Sequence, residues 1–434
     1  MPIHPRRRSR NSLILSTALV FLAGCATPVP SATTTIPIES PTSTVAVTPI
    51  TSPTPTASPT FVGLPTPIGS STTVTSPTPG PSVVTVDLAL TIHTIPEAWA
   101  KKTGPAVASD GTEIVWSEIA SFDSQGQPFF PDLVSFVPGK DAEPRIIYRH
   151  PDRDSRIWTV AVRHGHYAFL EFNDRLLGDG WRLWALSGPD RTAVLLDQSG
   201  DPANAPAPSI ALTDEGVIWN AVHMRGGVAT YELRTAKFDG SDPRALLASP
   251  VADKEYWFPD TDPTATHVLF ATVEPVGSGD LFRLYSLDLT DPGAKPIRLG
   301  DSDEATQPVT NGTTLAWRVI DDNVANWGKG LVVADAAGNG ARAAPVSSEL
   351  SLSIGRRFIA YDKLSSNDLV LYDTEADRLA VVERHAPPDL WTMQRGWTLV
   401  AGDLLVFRRG NYTDDANASK PPEVCWALLP APST

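Results

Sequence analysis

The chain has 434 residues, 41 of them Pro and 30 Gly, with only 2 Cys and 3 Met, and a formal net charge of −14. Arg6, Arg7, Arg8 and Arg10 sit at the N-terminus, so residues 85–434 hold 31 basic against 48 acidic side chains, which excludes a general electrostatic footprint for nucleic acid. Two cysteines far apart exclude a disulfide-rich scaffold and a cysteine-based zinc site.

The basic cluster leads into the apolar run Leu13-Ile14-Leu15-Ser16-Thr17-Ala18-Leu19-Val20-Phe21-Leu22. A bilayer span needs about 20 such residues, so this run reads as the core of an export signal. Leu22-Ala23-Gly24-Cys25 resembles a bacterial lipobox. The resemblance implies a lipoprotein signal peptide over 1–24, acylation of Cys25, and attachment to the extracytoplasmic side of a bacterial membrane. Acyl chains anchor at about 0.8 kcal/mol per buried CH₂.

Residues 25–82 read as a linker. Over 26–84, 38 of 59 positions are Pro, Thr or Ser, and Glu39 is the single charge. This composition cannot bury enough surface to offset the entropy of ordering. Extended as polyproline II at about 3.1 Å per residue, it reaches on the order of 180 Å. Ser, Thr and Pro together also fit an O-glycosylated stalk.

Self-comparison of 83–434 finds a turn followed by a short, aromatic-bearing strand seven times. The copies end in Trp116, Phe169-Leu170, Trp219, Phe270, Trp317, Tyr361 and Phe407, and begin roughly 44 to 55 residues apart. That period is the size of a four-stranded blade. Third strands are legible, as in Leu133-Val134-Ser135-Phe136-Val137 and Leu369-Val370-Leu371-Tyr372, and fourth strands follow in six copies. The seventh copy has no room for one before Thr434. The β-rich segment 83–92 is expected to fill that outer position and close the ring. An all-β, seven-bladed β-propeller follows, with six blades open if one copy is an insertion.

The repeats resemble those of TolB-like and WD40-like propellers, which place a Pro-Asp-Gly-type turn before an apolar strand. Ser109-Asp110-Gly111 is near that pattern, and the other copies keep Gly or less. The resemblance implies the fold and leaves activity open.

Chemical motifs are sparse. No Gly-x-Ser-x-Gly elbow or phosphate-cradling glycine loop occurs. His93, His150 and His385 fall at outer-strand exits, while His164 and His166 flank a turn; all read as solvated positions, so no metal or cofactor is expected. Asp260-Thr261-Asp262 and Asp301-Ser302-Asp303-Glu304 alternate carboxylates as calcium loops do, without the full ligand set. Trp116, Trp219 and Trp317 occupy equivalent strand positions and are expected to fill the space between blades.

The loops after second and fourth strands emerge on one face, and 120–131, 320–329, 408–423, 197–207 and 248–256 are long. Function concentrates on such loops. Phe129, Phe130 and Trp327 are the candidate aromatic anchors there, with Arg149, Arg175 and Arg384 as polar contacts. The expected function is a non-catalytic binding module for an envelope protein, a peptide or a glycan. The alternative is a propeller enzyme acting on polysaccharide at the channel mouth.

Lipidation generates a direct test. Cys25→Ser is expected to release the protein from membranes or trap its precursor, read by fractionation and intact mass; unchanged retention with normal processing refutes the anchor.

Overall fold

A computed structural model describes residues 84–124, 126–172, 180–187, 192–199, 206–276, 279–320, 330–346, 352–361, 368–384, 398–409 and 423–432. Cys25 lies outside these residues, as does the whole linker.

Seven blades, each of four antiparallel strands, follow one another along the chain, and one of the seven sheets gains a fifth strand. Blade I comprises Thr103–Ser109, Ile114–Glu118, Asp132–Phe136 and Arg145–Arg149; blade II, Arg156–Arg163, His166–Phe172, Trp181–Ser187 and Thr192–Gln198. Blade III comprises Ile210–Leu212, Gly216–Arg225, Val228–Lys237 and Arg244–Pro250; blade IV, Glu255–Thr261, His267–Val276, Gly279–Asp288 and Ile297–Leu299. Blade V comprises Ala305–Thr310, Thr314–Val319, Gly330–Asp335 and Arg342–Ala344; blade VI, Leu352–Ile354, Phe358–Tyr361, Leu369–Asp373 and Arg378–Glu383. Blade VII is built from Leu399–Ala401, Leu404–Arg409 and Glu423–Leu428, and its fourth strand is His93–Thr94. Each first strand lies against the first strands of both neighbouring blades, and the seventh lies against the first. The ring is therefore closed with seven blades, and the six-bladed alternative falls.

The closing segment departs from expectation. The seventh blade's outer place is taken by His93–Thr94, paired with Trp426 and Cys425. Thr85–Asp87 instead pairs in parallel with Leu379, Ala380 and Val381, as a fifth strand on blade VI. Between them Leu88, Leu90 and Ile92 pack onto the apolar layer shared by blades VI and VII. Alternating apolar residues specify a strand but not its partner, so one segment straps two blades. His93 stacks on Trp426 with ring centroids 4.2 Å apart.

There is no single core. Seven apolar clusters lie in the seven gaps between blades. In each gap the second strand of the following blade contributes a large ring: Phe169 (beside Tyr167), Trp219, Phe270, Trp317, Tyr361, Phe407 and, at the VII–I closure, Trp116. The interblade role expected of the three strand tryptophans is observed. Burying such a ring contributes about 3–5 kcal/mol, judged by truncation to Ala.

The turns between first and second strands are tied to one another around the ring. The His164 N–H donates to Asp110 Oδ2 at 2.9 Å, and Arg163 Nε to Asp214 Oδ1 at 2.7 Å. Thr261 Oγ1 donates to the Leu212 carbonyl at 2.7 Å, and the Thr310 N–H to Asp260 Oδ2 at 3.2 Å. Asn311 Nδ2 donates to the Gly355 carbonyl at 2.9 Å, and the Arg356 N–H to the Gly402 carbonyl at 2.9 Å. These six bonds join blades I through VII in order. Asp260 bridges blades IV and V through Oδ2, and burial pushes its carboxyl up to about 7. At the seventh junction backbone meets backbone: a Cβ on Gly111, whose φ is +90°, falls 2.9 Å from the Ala401 carbonyl oxygen.

Gly111→Ala is therefore expected to cost about 2 kcal/mol or more, from left-handed backbone strain plus the clash. Gly139, with φ +74° and open space around its Cβ direction, supplies the control, where Ala costs only the backbone term. Denaturant melts compare the two; equal losses refute the close junction.

Candidate functional site

The face opposite these tied turns carries the connections after second and fourth strands. At the I–II junction the chain passes from Arg149 to Arg156 through His150-Pro151-Asp152-Arg153-Asp154-Ser155, and Glu171 on the second strand of blade II holds this passage down. Glu171 is fully buried. Ser155 Oγ donates to its Oε1 at 2.7 Å, Arg182 to Oε1 at 2.8 Å, and Trp184 Nε1 to Oε2 at 2.8 Å. His150 Nδ1 lies 3.1 Å from the Asp152 backbone nitrogen and 3.0 Å from the Asp152 carbonyl oxygen, and its Nε2 faces Glu171 Oε2 at 3.4 Å.

Four donors thus converge on one carboxylate. Burial alone raises its pKa, but hydrogen bonds from His150, Ser155 and Trp184 overcome that and hold it at about 2. Burial also opposes charge on His150, while Glu171 and the Asp152 carbonyl more than offset it and leave its pKa above the ordinary value. A carboxylate so saturated is a structural acceptor and a poor proton acceptor.

Above this hub lies an open groove of about 640 Å³, lined by residues that include Tyr148, Pro151, Asp152, Arg182, Trp184 and Thr192. Burial and the Glu171 charge raise the Tyr148 pKa far above its ordinary value, so its hydroxyl remains a neutral donor.

The sequence-predicted residues separate. Within loop 120–131, Ser121–Phe122 pairs with Pro128–Phe129 as a small hairpin. Phe129 is half-buried under the Arg156 guanidinium, 4.2 Å from ring centre to carbon. Phe130 is buried and meets Trp158 edge-on at 5.1 Å, so it is core and not a surface anchor. The exposed aromatic of this loop is Phe122, at 54%; hairpin pairing turns it outward, and a loop reading of the sequence gave no facing to detect that. Arg149 is two-thirds exposed, its guanidinium 3.6 Å from Asp132, whose two oxygens are also engaged by Arg153. Arg384 is turned to another task, gripping Asp87 at 2.7 Å across the strap. Arg175 and Trp327 lie outside the described residues.

Blades III and IV add what sequence reasoning missed. Their second and third strands run ten residues each, and the hairpin ends project beyond the first strands. Met224, Val228 and Val276 at these ends are 67%, 52% and 55% exposed. Each hairpin rests on a carboxylate with two basic partners. Glu232 accepts from Arg225 and Arg234, while Glu274 takes Lys254 Nζ at 2.7 Å and Arg283 at 2.8 Å. Asp303 takes Arg283 and Arg298, at 2.7 and 2.9 Å, which makes its acidic turn an ion-pair node. Among the described residues no group of His, Cys, Asp and Glu is placed to hold a metal ion.

No protein-family model matches the sequence, and no curated protein matches it. Solved structures do match in shape. Prolyl oligopeptidase B from Galerina marginata aligns at TM-score 0.50 and 11% identity over 78% of this chain and 51% of its own. A puromycin-hydrolyzing peptidase of Mycobacterium tuberculosis aligns at 0.48 and 14% identity over 73% and 51%. The β-propeller domain of the Trilobed protease from Pyrococcus furiosus aligns at 0.44 and 8% identity over 74% and 91%. The shared feature is the fold. The chain is a β-propeller similar to peptidase propeller domains, and it spans about half the length of the peptidases it matches.

Glu171 makes stability depend on pH in a defined way. Its lowered pKa adds stability above the ordinary 4.5 that is lost as pH falls toward 2. The raised pKa of His150 adds stability below 6.5 that is lost as pH rises through the folded value. Glu171→Gln is expected to cost about 3 kcal/mol or more near pH 6 and to flatten the acid limb of the melting profile. A parallel profile refutes the hub.

Proposed function

We propose that this propeller is a non-catalytic binding module, held outside a bacterial membrane through Cys25, and that its partner is a protein, peptide or glycan docking on the loop face. The observation that carries this reading is the asymmetry between the two ends. One end is tied turn to turn around the ring, while the other raises two adjacent hairpins with apolar, exposed ends on ion-paired bases. Exposed apolar side chains on rigid supports are what a docking surface needs, because little conformational entropy is lost on binding. Phe122 and Arg149 extend the same face toward blade I.

A catalytic role on polysaccharide has weaker support, since the buried carboxylates of this face are consumed as acceptors for fixed donors. The hydrolytic activities in the names of the matching peptidases belong to chains about twice as long, and are not carried over.

The double substitution Met224→Ser with Val276→Ser is expected to weaken binding of peptides or glycans selected on arrays by tenfold or more with the melting temperature unchanged. Trp219→Ala is expected to do the reverse, losing about 3–5 kcal/mol of stability. Binding that survives the double substitution refutes this face.

A further inference from the structure

The second strand of blade III outruns its inner partner, and backbone parity shows what that leaves. The Thr213 N–H donates to the Gly216 carbonyl at 2.9 Å, so even-numbered residues of Gly216–Arg225 turn their backbone groups toward the inner strand. At the far end Arg225 pairs with Val228 around Gly226-Gly227, both at positive φ, so odd-numbered residues turn toward the third strand. The inner ladder stops at the Ile210–Trp219 pair. Beyond it the next inner-strand donor, the Ser209 N–H, leaves the backbone ladder. It donates instead to the Asn220 side chain, whose Oδ1 accepts it at 2.7 Å. Val222 and Met224 pair with Tyr231 and Ala229 on the outer side, and have no inner partner among the described residues.

We propose that this inner edge, at Val222 and Met224, takes up an extended peptide as an added strand. The proposal rests on the binding-module reading and narrows its ligand to a peptide main chain. Each of the two residues offers an N–H and a C=O on the same edge, repeating about 6.8 Å apart. An extended backbone supplies complementary acceptors and donors at that repeat, and sugar hydroxyls do not. Natural edges are blunted by Lys, Pro or a bulge. Asn220–Arg225 has no Lys or Pro, and the ten pairs of Gly216–Arg225 with the third strand run without a register shift. The flanks select for alternation in the guest. On one side stands His223, its Nε2 3.2 Å from Asp197 Oδ2; on the other stand Val222 and the exposed Met224. A peptide alternating polar and apolar residues fits both.

Two measurements on the full chain decide the matter. In residue-resolved hydrogen exchange without ligand, the amides of Val222 and Met224 are expected to exchange at least a hundredfold faster than those of Ala221 and His223. Equal protection means the edge is already paired and overturns the proposal. Linear dodecapeptides selected from a random display library are then resynthesised with alternate amides N-methylated, which leaves the protein untouched. A loss of tenfold or more in affinity for one methylation parity, and little for the other, supports strand addition. Selected peptides indifferent to both parities overturn the edge while leaving the binding module standing. If the library yields no binder while array glycans bind, the peptide ligand falls and the docking face survives.

Discussion

Seven wedges have to sum to one full turn, and each wedge here is filled by a ring from the following blade's second strand. Trp116, Phe169, Trp219, Phe270, Trp317, Tyr361 and Phe407 differ in size, so each gap is set by its own side chain and its smaller neighbours. Close packing makes such gaps intolerant of small changes in volume. Everything else in the molecule is positioned relative to these seven contacts. The tied turns lock the wedges at one end, which leaves the other end free to carry hairpins of unequal height.

Carboxylates organise that other end in one recurring way. Glu171, Glu232 and Glu274 each sit on or beside a long second strand and gather two or more donors. A buried carboxylate without such partners costs several kcal/mol, so the donors and the acceptor stand or fall together. The result is a set of strand ends cross-linked by side-chain hydrogen bonds and ion pairs.

The period of the fold was legible because one aromatic per blade repeats at an equivalent place, and periodicity survives even where the turn motif has decayed. What stayed hidden was partnership. Segment 83–92 reads as one strand, yet Thr85–Asp87 serves blade VI in parallel while His93–Thr94 just beyond it serves blade VII in antiparallel fashion, and the Arg384–Asp87 pair that fixes the strap joins residues 297 apart. Facing within loops was hidden too: adjacent Phe129 and Phe130 differ in burial, and Phe122 proved the exposed ring. The inner strands also carry kinks at Phe258-Pro259 and Gln307-Pro308, where Phe258 and Gln307 adopt φ of 50° and 49°. An X-Pro pair at the start of a blade was the available signal, and it was masked by the general abundance of proline.

The strap has a mechanical meaning. Tension applied at Val84 enters the domain through Thr85–Asp87, a short parallel rung with one exposed ion pair, before it reaches His93–Thr94. That rung is the fifth strand of a blade already complete with four. Shearing it away frees several residues and leaves the circle intact, so the outermost strand stands as a fuse between a pull at that point and the closure of the ring.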